Sequence, residues 1–184
     1  ENDCIQAQLG LLNAYEAKPQ DYKNKMALNA FCLPFDAFPV QGMNYKDSSF
    51  DAIISFEVFE HVFNLPEILL ELNRVVKPDG YLLATIPFGL GEHEVPNDFA
   101  RYTSYGISHL LQQSGFDVIE LNRTSTYILA IFQTIIFYIY HTLIPTNKLF
   151  YFFQLTIIFP LTAIALFINA IMPDNDKYYS GIVV

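Results

Sequence analysis

The chain has 184 residues, with 10 Lys plus Arg against 19 Asp plus Glu and a formal net charge of −9. That length suits one domain with a real core, or one domain and an appendage. An acidic chain without basic clusters lacks the phosphate-neutralising surface of a nucleic-acid binder, so nucleic acid is not expected as a partner.

Charge is divided sharply along the chain. Between Arg123 and Asp174 the only charged side chain is Lys148. Three parts are therefore expected: a polar segment at 1–24, an α/β domain from 25–123 plus 174–184, and an apolar segment at 124–173. The two cysteines, Cys4 and Cys32, follow no metal or redox spacing and read as incidental thiols. Glu1 to Gln8 is polar, unlike the apolar core of a signal peptide.

In chain order, residues 1–24 are polar and mildly helical, and 25–50 are irregular, broken by Pro34, Pro39 and Gly42. "DAIISF", Asp51 to Phe56, is a short apolar run expected to be a strand buried on both faces. A helix is expected from Asn64 to Val76, with Asn64 as cap and Glu67 completing a capping-box-like pair. Its apolar residues Leu65, Ile68, Leu69, Leu72, Val75 and Val76 recur at helical spacing. "KPDG", Lys77 to Gly80, reads as a turn and "YLLATIPF", Tyr81 to Phe88, as a second buried strand. After a loop rich in ionisable groups, Thr103 caps a helix ending at Gly115, and "FDVIEL", Phe116 to Leu121, reads as a third strand. Alternating strands and helices of these lengths predict an α/β layered domain with a largely parallel sheet. Such sheets bind ligands beyond the carboxyl ends of their strands.

Four stretches carry a resemblance: "LPF" (Leu33 to Phe35), "SSFDAIISFEVFEHV", "LNRVVKPDGYLLATIPF" and "HEVPNDFARYTSYGISHLLQQSGFDV". Together they resemble class I S-adenosylmethionine-dependent methyltransferases over residues 28–121. The nearest type is the small bacterial branch associated with lipid, quinone and cell-envelope sugar chemistry. The resemblance implies a Rossmann-like sheet and S-adenosyl-L-methionine as cofactor. It places Asn29 and Ala30 beside the adenine, although the family carries an acidic residue where this chain has Asn29. Ser55, Phe56 and Glu57 would line the methionine end of the cofactor. The family binds its cofactor chiefly with a glycine-rich turn after a first strand. Only 28 residues precede Asn29, and Gly10 is their single glycine. The expectation is a fragment of a longer enzyme or, failing that, a non-catalytic methyltransferase-like membrane scaffold that lost its cofactor loop.

Glu57, Glu60 and His61 fall at i, i+3 and i+4 and are expected at the open edge of the sheet, not deeply buried. They could hold a divalent ion with His93 as a fourth ligand. The plainer reading assigns no metal: Glu57 contacts the cofactor, while Glu60 and His61 fix the strand-to-helix turn. His93, in the loop after a central strand, is the candidate catalytic base, since imidazoles titrate near neutral pH. Asp98, Arg101 and Tyr102 are the candidate substrate-binding residues; Asp98 and Arg101 would either pair to shape the loop or free Arg101 for an anionic acceptor. His109 and His141 receive no role.

Residues 126–144 and 149–172 are apolar runs, each long enough for the roughly 20 residues that cross a bilayer core. Pro160 would kink the second run, and Gln133, Gln154 and Asn169 sit uneasily in a simple span. The family's sheet ends in an antiparallel strand pair, so "YYSGIVV", Tyr178 to Val184, resembles the last strand and 124–173 an insertion before it. Such an insertion must return to the side it left, which suits a membrane hairpin. A soluble cap or dimer face is the rival. The expected function is methyl transfer to a lipid-linked or amphipathic small-molecule acceptor at the cytoplasmic face of a membrane.

Overall fold

The computed structural model describes residues 30–32, 45–142 and 150–184. In these residues lies a five-stranded sheet of β1 (Ala30–Cys32), β2 (Phe50–Phe56), β3 (Val76–Pro87), β4 (Asn122–Arg123) and β5 (Gly181–Val183). The spatial order is β1-β2-β3-β5-β4; β1, β2 and β3 run parallel, and β5 is antiparallel to both β3 and β4. This is the α/β, Rossmann-like sheet that the sequence led us to expect, including its antiparallel end.

The apolar run of β2 is buried from Ala52 to Ser55, as expected for a strand covered on both faces. Helix α1 (Leu65–Val75) follows and buries Leu65, Leu69, Leu72 and Val75 at 0% exposure each, which is the stripe its spacing predicted. Asn64 precedes it but makes no side-chain cap. Pro66 removes the N–H of the second helical residue, one of the two that a cap side chain can reach.

"KPDG" is not a separate turn: it lies within β3. The ladder pairs Phe50 with Val76 and then Ala52 with Tyr81, so residues 77–80 bulge out between two points of register. Gly80 makes that bulge fit, because a Cβ there would stand 2.9 Å from the Asp51 carbonyl oxygen.

Helix α2 (Ser104–Gln113) begins as predicted, with Thr103 Oγ1 accepting from Gly106 N at 3.0 Å. It ends at Gly115, whose φ of +89° lets Phe116 N donate to Leu111 O at 3.0 Å. Gly115→Ala should therefore lower stability by about 1–2 kcal/mol, seen as a fall in the denaturant midpoint at unchanged m value. A parent-like midpoint would show that the backbone re-forms without the left-handed residue.

"FDVIEL" is not a hydrogen-bonded strand. Phe116 and Val118 pack against the core while Asp117 and Ile119 are exposed, so the alternation is real. The ladder, however, joins only Asn122 and Arg123 to Val183 and Ile182. Its partner β5 is only three residues long, which leaves little edge to extend along.

The chain between β4 and β5 leaves the sheet and returns to it. It contains α3 (Tyr127–Thr142), α4 (Phe150–Phe153), a π-helical turn (Gln154–Ile158) and α5 (Phe159–Ile171). The helical path is continuous from 150 to 171. The π turn ends just before Pro160, so the ladder rearranges where proline lacks its N–H, as anticipated for a kink. Helices α3 and α5 pack together, with Ala130 and Ala165 almost fully covered. The hairpin's polar residues are used at its base: Asn169 accepts from Thr126 Oγ1, and Gln133 accepts from Ser180 Oγ. Tyr127 N donates to Asn175 O at 2.7 Å.

Tyr179 anchors the return. Buried, it stacks on Phe88 with centroids 4.7 Å apart, and its hydroxyl accepts from Ser104 N at 2.9 Å. Tyr179→Phe should cost about 1–2 kcal/mol, because it leaves a buried helix-start N–H unpaired. Calorimetric unfolding of the pair of proteins would measure this.

Candidate active site at the carboxyl edge of the sheet

The carboxyl ends of β2 and β3 lie side by side, with Phe56 paired to Thr85. At the end of β2 the chain turns through Glu57, whose φ of +51° is a left-handed conformation uncommon outside glycine. Glu57 N donates to Thr85 O at 3.0 Å, which holds the turn on β3, and the Glu57 side chain is exposed. Phe56 is half-buried. Ser55 is fully buried, and its Oγ has no hydrogen-bond partner. Ala30 is the first residue of β1, opposite Ala52. Asn29 lies outside the described residues.

A short 3-10 turn, Phe59–His61, continues from Glu57. Here the expected openness fails: Glu60 is fully buried, and the His61 side chain is 4% exposed. The loop after β3 folds over this turn and covers it. Phe99 N and Ala100 N both donate to Glu60 O, at 2.9 and 3.1 Å. His61 Nδ1 lies 2.8 Å from Asn97 O. The rings of His61 and His93 meet edge to face, with centroids 4.8 Å apart.

The loop is held by one ion pair. Arg101 Nη1 and Nη2 donate to Asp98 Oδ1 and Oδ2 at 2.5 and 2.6 Å, a bidentate pair. Its Nε donates to Leu90 O, Nη1 also to Ala100 O and Nη2 also to Gly91 O. All five guanidinium N–H groups are thus spent within the loop. Of the two roles weighed for Arg101, shaping the loop is the one observed. Asp98 Oδ2 also accepts from His93 N at 2.9 Å. The Arg101 hydrogen bonds, reinforced by that of His93, hold the Asp98 carboxyl well below the usual carboxylate range.

Asp98→Ala leaves a partly buried guanidinium without its counter-ion and should destabilise the protein by about 3 kcal/mol, measurable as a lower denaturant midpoint. Because the folded pKa is depressed, this contribution is present above the unfolded carboxyl pKa. It is lost as the pH falls through the folded one. A stability-pH profile of the Ala variant should therefore converge on the parent only in strong acid.

Glu60 sits opposite in character. Burial pushes its carboxyl up to about 7; Glu57 adds to the rise, while its own backbone N–H, His93 and Arg101 oppose it. Tyr102 is raised by burial and by Glu60. His93 is placed in the loop with its side chain 33% exposed, and its Nε2 is 3.9 Å from Glu60 Oε1. The sequence pattern named Glu60, His61 and His93 but gave no sign of Asn97, which orients His61 from 36 residues away.

This sheet edge can be matched to known proteins. Residues 13–84 match the family described as "Methyltransferase domain". Over these residues the chain is similar to the class I S-adenosylmethionine-dependent methyltransferases. The cofactor that goes with this family is S-adenosyl-L-methionine, and the exposed Glu57 carboxylate beside half-buried Phe56 suits the polar end of such a molecule. No curated protein matches the chain. Among solved structures, the chain is similar to a complex between the Haloferax volcanii Trm112 methyltransferase activator and a methyltransferase. There identity is 21%, over 50% of this chain and 41% of that chain, with a TM-score of 0.42. A SAM-dependent methyltransferase from Thermotoga maritima is also similar, at 21% identity over 44% of this chain and 43% of that chain, with a TM-score of 0.38. A third is Haemonchus contortus phosphoethanolamine N-methyltransferase 2 in complex with S-adenosyl-L-methionine. It shows 16% identity over 76% of this chain and 34% of that chain, with a TM-score of 0.45. The chain spans less than half the length of each of these structures.

Proposed function

We propose that the protein transfers a methyl group from S-adenosyl-L-methionine to a lipid-linked or amphipathic small-molecule acceptor at the cytoplasmic face of a membrane. The carrying observation is the junction between the methyltransferase edge and the apolar hairpin. β3 ends at Pro87 and Gly89 follows it; a Cβ on Gly89 would stand 3.2 Å from the Tyr178 hydroxyl. Tyr178 also lines an open groove with Tyr127, Ile131, Thr134 and Ile135, at the base of the hairpin. An apolar tail lying in that groove would reach the loop that holds His93.

The hairpin itself suits lipid. The 18 residues of 154–171 are apolar and long enough to cross a membrane, and they are almost wholly unburied. Leu155, Phe159, Ile164, Leu166 and Phe167 are at least half exposed. The hydroxyls of Thr134, Thr156 and Thr162 donate to carbonyls four residues back, which satisfies these three protons within the helices. Helix α3 has 16 described residues, short of a full span, and its first turns are tied to the sheet. A hairpin that enters on α3, spans or dips along 150–171 and returns to β5 fits both helices.

When bound, S-adenosyl-L-methionine supplies an electrophilic methyl group on a sulfonium sulfur. Ser55, Phe56 and Glu57 would hold its methionine end, and Asn29 and Ala30 its adenine end. The loop carrying Asp98, Arg101 and Tyr102 covers the acceptor, and His93 handles the proton that the acceptor gives up. The test is incubation of the full-length protein in mild detergent with methyl-radiolabelled cofactor and a membrane lipid extract. Label in the organic phase supports the reading. Label confined to water-soluble acceptors removes its lipid part, and absence of cofactor binding favours the non-catalytic scaffold.

A further inference from the structure

Phe63 stands just before the cap position of α1, where an apolar side chain ordinarily packs onto the fourth residue of the helix, here Ile68. It is instead 83% exposed, and its ring meets Phe99 edge to face with centroids 5.4 Å apart. Phe99 is itself 46% exposed, on the loop that closes over Glu60. Val95, on the same loop, is 73% exposed. Single apolar side chains on a surface need no explanation, but a contacting pair of rings beside a ligand edge marks an interaction site.

Topology puts this pair and the hairpin at one edge of the sheet. β3 and β4 are both antiparallel to β5 and so run parallel to each other. The hairpin therefore leaves after Arg123 and returns at Gly181, at the edge where Phe56 and Pro87 end β2 and β3. Phe88 N donates to Ser180 O at 2.8 Å and Thr124 N to Gly181 O at 2.9 Å, which fixes both feet of the hairpin there. The turn bearing Phe63 and the loop bearing Phe99 follow β2 and β3 at that same edge. In the order β2-β3-β5-β4, β2 lies roughly 10–15 Å across the sheet from β5 and β4. The opposite edge is polar, with Lys46, Asp47, Lys77 and Asp79 all exposed.

We propose that Phe63, Phe99 and Val95 form a second membrane contact beside the hairpin, which seats the carboxyl edge of the sheet in the lipid–water interface. The proposal rests on the reading of the hairpin as a membrane element. Apolar side chains of interfacial segments settle about 5–10 Å into the boundary between headgroups and acyl chains. Two attachment points stop the domain from swinging about the hairpin, so the loop bearing His93 faces the headgroup layer. An amphipathic acceptor would reach the site from that layer. Glu92 and Glu94, exposed on either side of His93, oppose anionic headgroups, so the contact is apolar and suits a neutral surface.

The 184 residues contain no tryptophan, so an introduced indole reports one position when read as the difference from the parent. F63W, F99W and, for comparison, Y45W are made in the full-length protein and reconstituted into phosphatidylcholine vesicles. Tyr45 is exposed ahead of β2, at the opposite edge. On reconstitution, the F63W and F99W emission should move to shorter wavelength and lose accessibility to iodide. Lipids brominated high on the acyl chain should quench both more than lipids brominated near its end. Y45W should show none of this, and added phosphatidylglycerol should not strengthen the quenching. Each substitution keeps an aromatic ring at an exposed position, so either site variant serves if the other folds poorly. Vesicle-bound protein whose F63W and F99W indoles stay open to iodide and untouched by bromine overturns the contact and leaves the hairpin reading standing. A shift to shorter wavelength without bromine quenching places the rings against protein, such as a second copy, and also overturns it. So does equal quenching of Y45W, or quenching that appears only with phosphatidylglycerol. Protein absent from floated vesicles overturns the hairpin reading and the second contact together.

Discussion

Ile164→Arg combined with Leu155→Arg is expected to release the protein from lipid vesicles without unfolding it. Both side chains are at least half exposed, so no core packing is lost. A charged residue near the centre of a membrane helix costs about 2.5–3.5 kcal/mol, so two should lower the membrane partition by at least roughly a hundredfold. Flotation of parent and variant on a density gradient measures this directly. If the parent instead runs as a monodisperse dimer in water and never floats, the hairpin is a subunit interface and the membrane reading fails. The same exposed residues would then be buried between copies, and the double variant would dissociate the dimer.

His93→Ala should reduce turnover by about 10²–10⁴-fold while leaving cofactor affinity unchanged. The expectation follows from placement: His93 stands on the loop after β3, whereas Phe56 ends β2 and Glu57 makes the turn after it. Unchanged turnover in His93→Ala would remove the residue from the chemistry. A parallel loss of cofactor binding would mean that the loop helps form the cofactor site. Glu57→Gln provides the complementary case, with weakened cofactor binding expected from loss of an exposed carboxylate at the sheet edge.

Much of the fold could be read from local chemistry. The stripe Leu65, Leu69, Leu72 and Val75 defines a helix and its buried face because 3.6-residue periodicity has no other use for that spacing. Thr103 and Gly115 mark the two ends of α2 because a hydroxyl acceptor and a left-handed residue answer the needs of helix termini. The charge gap between Arg123 and Asp174 separates the hairpin from the domain, since no other stretch of comparable length lacks charge. The four family motifs point to the sheet and to its carboxyl edge.

Other features depend on partners distant in sequence. "KPDG" has turn chemistry, yet the register of β2 against β3 makes it a bulge inside a strand. "FDVIEL" has strand alternation, yet a three-residue neighbour gives it little ladder to join. Gln133 and Asn169 look misplaced in an apolar run until Ser180 and Thr126 meet them at the base of the hairpin. Glu60 is the sharpest case. Its spacing with Glu57 and His61 groups the three on one helical turn, and nothing local distinguishes their exposures. Tertiary structure alone buries Glu60 and leaves Glu57 outside, because the loop from Asn97 to Ala100 closes over one and not the other. A sequence determines which groups a chain carries and which local conformations they favour. Burial and pairing are set by segments that meet only when the chain has folded.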